Sequence, residues 1–158
     1  MEINNLKQLR QYIEKSIQKS LETKVFDKVR DVELSHTVSD VYEAYKPDEY
    51  VRRYEKKGLK DPRNIIYEKQ KIKKGWLVVR NITDFNPYRP ISRFGYNLTN
   101  LIEYGWEESC RRIYNVKVAP DYAQPRPFIA NTTEELKQTK IHVKALKEGL
   151  KEDGIITK

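Results

Sequence analysis

The first 46 residues contain neither glycine nor proline. The two residues that most readily end a helix are thus missing from more than a quarter of a 158-residue chain. Within this stretch Ile3, Leu6, Leu9, Ile13, Ile17, Leu21, Val25, Val29 and Val32 recur every three or four residues. That spacing places apolar side chains on one face of an α-helix. Val38, Val41, Tyr42 and Tyr45 extend the face, and Pro47 closes it. The pattern predicts one long helix over 1–46. At ~1.5 Å per residue, about thirty such residues span roughly 45 Å, more than one small domain covers. Part of the stripe is expected to pack on the domain's own sheet and part on a neighbouring subunit. The alternative is a helix broken near Thr23, Ser35 or Thr37 and folded wholly on its own domain. Repeated spacings of four drift from a strict heptad, which disfavours a coiled coil.

The chain length suits a single domain, 1–158, burying roughly 70% of its unfolded surface. Charged residues make up 34% of it and the mean hydropathy is −0.83. No apolar run approaches the ~18 residues of a membrane span, and no apolar signal region follows Met1. The one cysteine, Cys110, has no internal disulfide partner and reads as a small semi-buried hydrophobe. Synthesis in a reducing cytosol is the expectation.

The net charge of +8 is unevenly spread. Residues 1–47 carry eight basic and eight acidic side chains, and residues 131–153 carry five of each. Residues 48–80 carry eleven basic and five acidic. The surplus therefore sits on a loop and a predicted β-hairpin over 64–83. There Asn64 to Ile72 and Trp76 to Thr83 read as strands about a Lys73–Gly75 turn, the second as an interior strand. A local basic surface favours a polyanion or an acidic partner, and a merely solvated hairpin is the plainer reading. The basic candidates are Arg52, Arg53, Lys56, Lys57, Lys60, Arg63, Lys71, Lys73 and Lys74. Tyr42, Tyr45, Tyr50 and Tyr54 interleave with them; Tyr42 and Tyr45 read as core, Tyr50 and Tyr54 as interface. A short helix over 97–104, capped by Asn97 or Thr99, ends at Gly105. Arg112 to Val118 suits a further strand.

No catalytic constellation emerges. His36 and His142 are the only histidines, and neither lies in a HExxH pattern. GxSxG, P-loop and GxGxxG motifs are absent, and a thiolate zinc site is unavailable. Glu107–Glu108 and Glu134–Glu135 are sequence neighbours, which do not face each other on a helix. Arg52, Arg53, Tyr54 and Glu55 supply the residue types of a histidine-free ribonuclease, but adjacency along the chain is not convergence in space. No catalytic, cofactor or metal residues are assigned, and no cofactor is expected.

The C-terminal segment YAQPRPFIANTTEELKQTKIHVKALKEGL, Tyr122 to Leu150, has its own grammar. Pro125 and Pro127 hold the lead-in extended, and RPFI suits at most an edge strand. Phe128 and Ile129 form an apolar anchor. Asn131 and Thr132, with Glu134 and Glu135, suit a capping box opening a helix over 131–152. Leu136, Val143 and Leu150 are spaced by seven, with Leu146 between the last two, giving a narrow apolar stripe that must dock on something. Phe128, Leu136, Val143 and Leu150, with Tyr50 and Tyr54, are the candidate subunit-interface residues. The fold class expected is α+β: a long N-terminal helix and a C-terminal amphipathic helix on a small antiparallel sheet.

This segment resembles the C-terminal part of the tail-completion, or neck (head–tail connector), proteins of long-tailed double-stranded DNA phages. There an extended PRPF-type element leads into a final amphipathic helix. LIEYG at Leu101–Gly105 and VYEAYKPDEYVRRYEKKGLKDPRNI at Val41–Ile65 resemble the same family, in the family's order. WEESCRRIYNVKVAPDYAQ, between LIEYG and PRPF, departs from its pattern. The resemblance implies a virion protein that forms a sixfold or twelvefold ring of itself. Its neighbours would be the head-completion or stopper protein and the tail terminator or tail tube protein, with the basic hairpin facing DNA in the channel or an acidic collar surface, and no membrane. The alternative from composition is a cytosolic nucleic-acid-binding protein using the basic, tyrosine-rich hairpin.

Overall fold

The computed structural model describes residues 5–44, 58–68, 75–83, 98–105 and 124–157. Its spine is one uninterrupted helix. Asn5 caps it, its side-chain oxygen accepting from the Gln8 amide at 2.9 Å. From there α1 (Leu6–Ser20) runs through a π-helical turn (Leu21–Val25) into α2 (Phe26–His36) and a second π-helical turn (Thr37–Glu43). Residues at the joints, Leu21, Phe26 and Thr37, stay in the right-handed helical region, so the chain bends nowhere into a loop. The alternative of a broken helix is not what forms: Thr23 and Thr37 lie in the two widened turns and Ser35 stays within α2. The reason lies in the spacing. Ile13, Ile17, Leu21, Val25 and Val29 are each four apart, and four residues overshoot a 3.6-residue turn by about 40°. A wider turn at Leu21–Val25 returns that face to register.

The partner of this spine is the C-terminal arm. It is two helices, not one: α4 (Phe128–Thr139) and α5 (Ile141–Glu152), joined at Lys140, whose φ of 52° and ψ of 28° are left-handed. The arm runs antiparallel to the spine, α4 along α2 and α5 along α1 and the first π-helical turn. Two expectations are corrected. The helix begins at Phe128 rather than Asn131, and it turns a corner after Thr139. The left-handed residue also shifts the helical phase, so the stripe of Leu136, Val143 and Leu150 does not survive. The buried face is instead Phe128 and Thr132 on α4, with Ala145, Gly149 and Leu150 on α5.

Close approach explains the small residues at this seam. Ser16 and Ser20 of α1 and Ala145 and Gly149 of α5 are all buried. A Cβ on Gly149 would lie 2.5 Å from Ser20 Oγ and 2.8 Å from its Cβ. Around the seam, Tyr12 Oη donates to the Asp153 carbonyl. Lys19 Nζ reaches Asp153 at 2.6 Å and Lys24 Nζ reaches Glu152 at 2.7 Å. Lys19, donating first of all, and Ser16 hold the Asp153 carboxyl below its ordinary range.

The sheet is small. Strands β1 (Ile65–Glu68) and β2 (Val78–Asn81) pair antiparallel, Ile65 opposite Asn81 and Glu68 opposite Val78. β2 is shorter than predicted, and among the described residues it has one neighbour, not the two of an interior strand. Tyr67 meets Phe26 of the spine edge-on, ring centroids 5.0 Å apart. Helix α3 (Leu98–Tyr104) ends at Gly105, where φ is +76° and a side chain would be strained. The architecture is the expected α+β class. Arg112–Val118 lies outside the described residues. Adding a methyl by Gly149→Ala is expected to destabilise the protein by about 1–3 kcal/mol through overpacking. Ser20→Gly should recover part of that loss, a non-additive coupling that denaturant titration of the double-mutant cycle measures.

Candidate functional site: the junction of spine, sheet and arm

The densest chemistry lies where α2, β2, α3 and the start of α4 meet. It begins with backbone groups. A helix opens with amides that lack partners, and Pro127, at the cap of α4, has no side chain to offer them. The partner comes from α3. Glu103 Oε2 accepts from the Ile129 amide at 2.8 Å and Oε1 from the Ala130 amide at 2.9 Å. The carboxylate also lies at the positive end of the α4 dipole. The Arg126 amide donates to the Ile102 carbonyl at 2.8 Å, tying the proline lead-in to the same helix. This replaces the capping box. Asn131 instead donates to Asp40 Oδ2 at 2.9 Å, and Thr132 Oγ1 donates back to the Phe128 carbonyl at 2.7 Å. RPFI forms no strand.

Beneath the cap is a fully committed polar network. Asn81 Nδ2 donates to Glu33 Oε1 at 3.0 Å and to the Leu59 carbonyl at 3.3 Å. Its Oδ1 accepts from the Thr83 amide at 3.1 Å, from Thr83 Oγ1 at 2.6 Å and from Thr99 Oγ1 at 3.2 Å. Asn64 Nδ2 donates to Thr83 Oγ1 at 3.0 Å and to the Gly58 carbonyl at 2.9 Å. Glu33, Asn81, Thr83, Thr99 and Glu103 are all buried. One asparagine thus binds spine, turn, strand and short helix together. Burial, chiefly, and the nearby negative charge of Glu103 push the Glu33 carboxyl up, against the Asn81 hydrogen bond.

A second latch sits one turn further along. His36 Nδ1 lies 3.0 Å from Asp40 Oδ2, and His36 Nε2 lies 2.9 Å from Glu135 Oε2. The ring thus bridges a carboxylate of the spine and one of the arm. Burial pushes the Asp40 carboxyl up, but hydrogen bonds from Ser39, Asn131 and His36 outweigh it and leave it below its ordinary range. The junction holds elements together by charge-assisted bonds. Among the described residues no three His, Cys, Asp or Glu side chains converge to hold a metal ion. Nor does any described helix have the length and apolarity to cross a membrane.

The residues singled out in the sequence fall elsewhere. Lys60 is exposed. Arg63 grips Asp61 with a fork, Nε to Oδ1 at 2.9 Å and Nη2 to Oδ2 at 2.7 Å, and so serves its own turn. Phe128 is 0% exposed, packed with Val41 and Leu59 in the chain's own core. Leu150 is buried on the spine, Leu136 half-buried, and Val143 is 38% exposed. Tyr50, Arg52, Arg53, Tyr54, Lys56, Lys57, Lys71, Lys73 and Lys74 lie outside the described residues. Glu33, Asn81 and Glu103 carry no motif. The one legible signal is positional: Glu33 and Thr37 share the helix face of Phe26 and Val41, at intervals of seven, four and four.

A Glu33 carboxyl raised above its ordinary value of 4.5 means the native state binds that proton more readily than the unfolded chain. Stability is therefore expected to fall as pH rises from about 4.5 through the folded-state value. Glu33→Gln should flatten this decline and melt higher than the parent at neutral pH. Glu33→Ala should cost about 1–3 kcal/mol by leaving Asn81 Nδ2 short of a partner. Glu103→Ala should cost a similar amount, about 1–3 kcal/mol, with amide exchange accelerated first at Ile129 and Ala130.

A family model described as YomN matches residues 5–152, which takes in the spine, the junction and the arm. No curated protein and no solved structure matches the chain.

Proposed function

The chain belongs to the YomN family, a phage-derived family, and from that membership we propose a structural role in the phage neck. In this reading the protein assembles with copies of itself into a ring that joins or completes the tail at the head–tail interface. Its neighbours are the head-completion or stopper protein and the tail terminator or tail tube protein. Its work is binding, not catalysis.

The observation that carries the reading is the apolar end of the spine. Near the end of the arm, the Asp153 carbonyl is bound by Tyr12 of α1. Ahead of Tyr12 on α1, Leu6 is 83% and Leu9 39% exposed. Ile156, three residues past that last contact, is 91% exposed. Exposed apolar side chains near the start of a long helix suit burial against a neighbouring subunit, at roughly 25 cal/mol per Å² removed from water. The latches support the same role, because a ring subunit must keep its shape while its neighbours load it.

The reading is tested on particles of the phage that carries the gene. The protein is expected to co-purify with intact virions and to be labelled at the neck by immunoelectron microscopy. Its absence from purified virions refutes the reading. In addition, Leu6→Glu with Leu9→Glu should leave the monomer's melting temperature within about 2 °C of the parent, as exposed substitutions do, while abolishing incorporation.

A further inference from the structure

In sequence the C-terminal segment is electrically neutral, with five lysines against five acids over residues 131–153. Folding separates those charges. Glu135 turns inward to His36, Glu152 to Lys24 and Asp153 to Lys19. Glu148 adds its field to that of Glu152 at Lys24. Glu134 stays on α4, with Gln138 at 3.0 Å and Lys137 at 4.0 Å. The acids of α5 are thus drawn towards the spine.

The lysines go the other way. Lys144, Lys147 and Lys151 recur at three and four along α5, on the face opposite buried Ala145 and Gly149, and Lys140 stands one turn before them. All four are exposed. The stripe climbs from Lys140 to Lys151, roughly 16 Å at ~1.5 Å per residue. Glu148 is the one acid beside it, four residues from Lys144 and three from Lys151.

We propose that this lysine stripe on α5 is a docking surface for the phosphate backbone of duplex DNA. Three features favour that partner. The stripe is all lysine, the side chain depleted from protein–protein interfaces and able to bind phosphate as a point charge. The other exposed residues of α5, Val143, Glu148 and Glu152, include no aromatic ring on which an unpaired base could stack. Cations one helical turn apart, ~5.4 Å, match a rod of closely spaced negative charge rather than a single anion. The contact reads no sequence, since it touches no base edge. It is built from residues other than those of the basic hairpin and stands whether or not the protein occupies the neck.

The test is the salt dependence of binding to a 25-base-pair duplex, followed by fluorescence anisotropy with the full chain. Lys140→Gln/Lys144→Gln/Lys151→Gln is expected to weaken binding at low salt. It should also flatten the slope of log K against log salt by about 0.9 for each lysine that neutralised a phosphate. A matching circular dichroism spectrum and melting curve confirm that the variant is folded. Scrambled duplexes of equal length should bind equally. The proposal is overturned if the parent ignores duplex DNA at low salt, or if the triple variant keeps the parental slope. It is also overturned if only Lys71→Gln/Lys73→Gln/Lys74→Gln flattens the slope. Tighter binding to poly-glutamate than to duplex at equal salt would assign the stripe to an acidic protein surface and overturn it as well.

Discussion

A helix running from Leu6 to Glu43 gains little from local propensity alone. Most helical stability in proteins comes from packing one amphipathic face. Here the face is covered by the C-terminal arm, so the spine exists as drawn because α4 and α5 lie along it. The contact is close because the facing residues are small: Ser16 and Ser20 against Ala145 and Gly149. Everything else is placed relative to that pair of antiparallel rods. The two-stranded sheet rests on one side of the spine through Phe26 and Tyr67, and α3 rests on the start of the arm.

Polar bonds then decide where the arm begins and at what angle. Apolar contact is non-directional and would tolerate a sliding arm. The Glu103 carboxylate, bonded to the amides of Ile129 and Ala130, does not. Nor does the His36 ring between Asp40 and Glu135. Each bond of this kind has narrow geometry and pins the register at one point. The expense falls on Glu33, whose charge is buried beside that of Glu103. A buried network that is fully paired specifies one arrangement more than it adds net stability.

The same geometry turns a neutral segment into a two-sided one. Acids and lysines are mixed along residues 134–153, five of each, and counting them hides the outcome. Once α5 is laid on α1, its face towards the spine meets Lys19 and Lys24, which draw the acids. The lysines are left on the opposite face. Surface electrostatics here is a consequence of packing and not of composition.

Much of the secondary structure was legible in the residues. The glycine- and proline-free spine, the antiparallel pairing around 64–83 and the short helix stopped by Gly105 all follow from local rules of spacing and backbone freedom. The arm was legible as helical, but its start and its corner were not. The start depends on Glu103, some twenty-five residues away along the chain. The corner depends on Lys140, which adopts a conformation that favours glycine, without being one. The seven-residue stripe failed for the same reason, since a periodicity assumes an unbroken helix. Glu33, Asn81 and Glu103 were invisible because a buried polar residue is recognised only by what surrounds it. Which segments become helix or strand is written in the residues themselves, because those preferences are settled within a few positions. The tertiary structure alone decided which carboxylates are buried, where the arm turns and which way the lysines point, because each of these depends on groups brought together from distant parts of the chain.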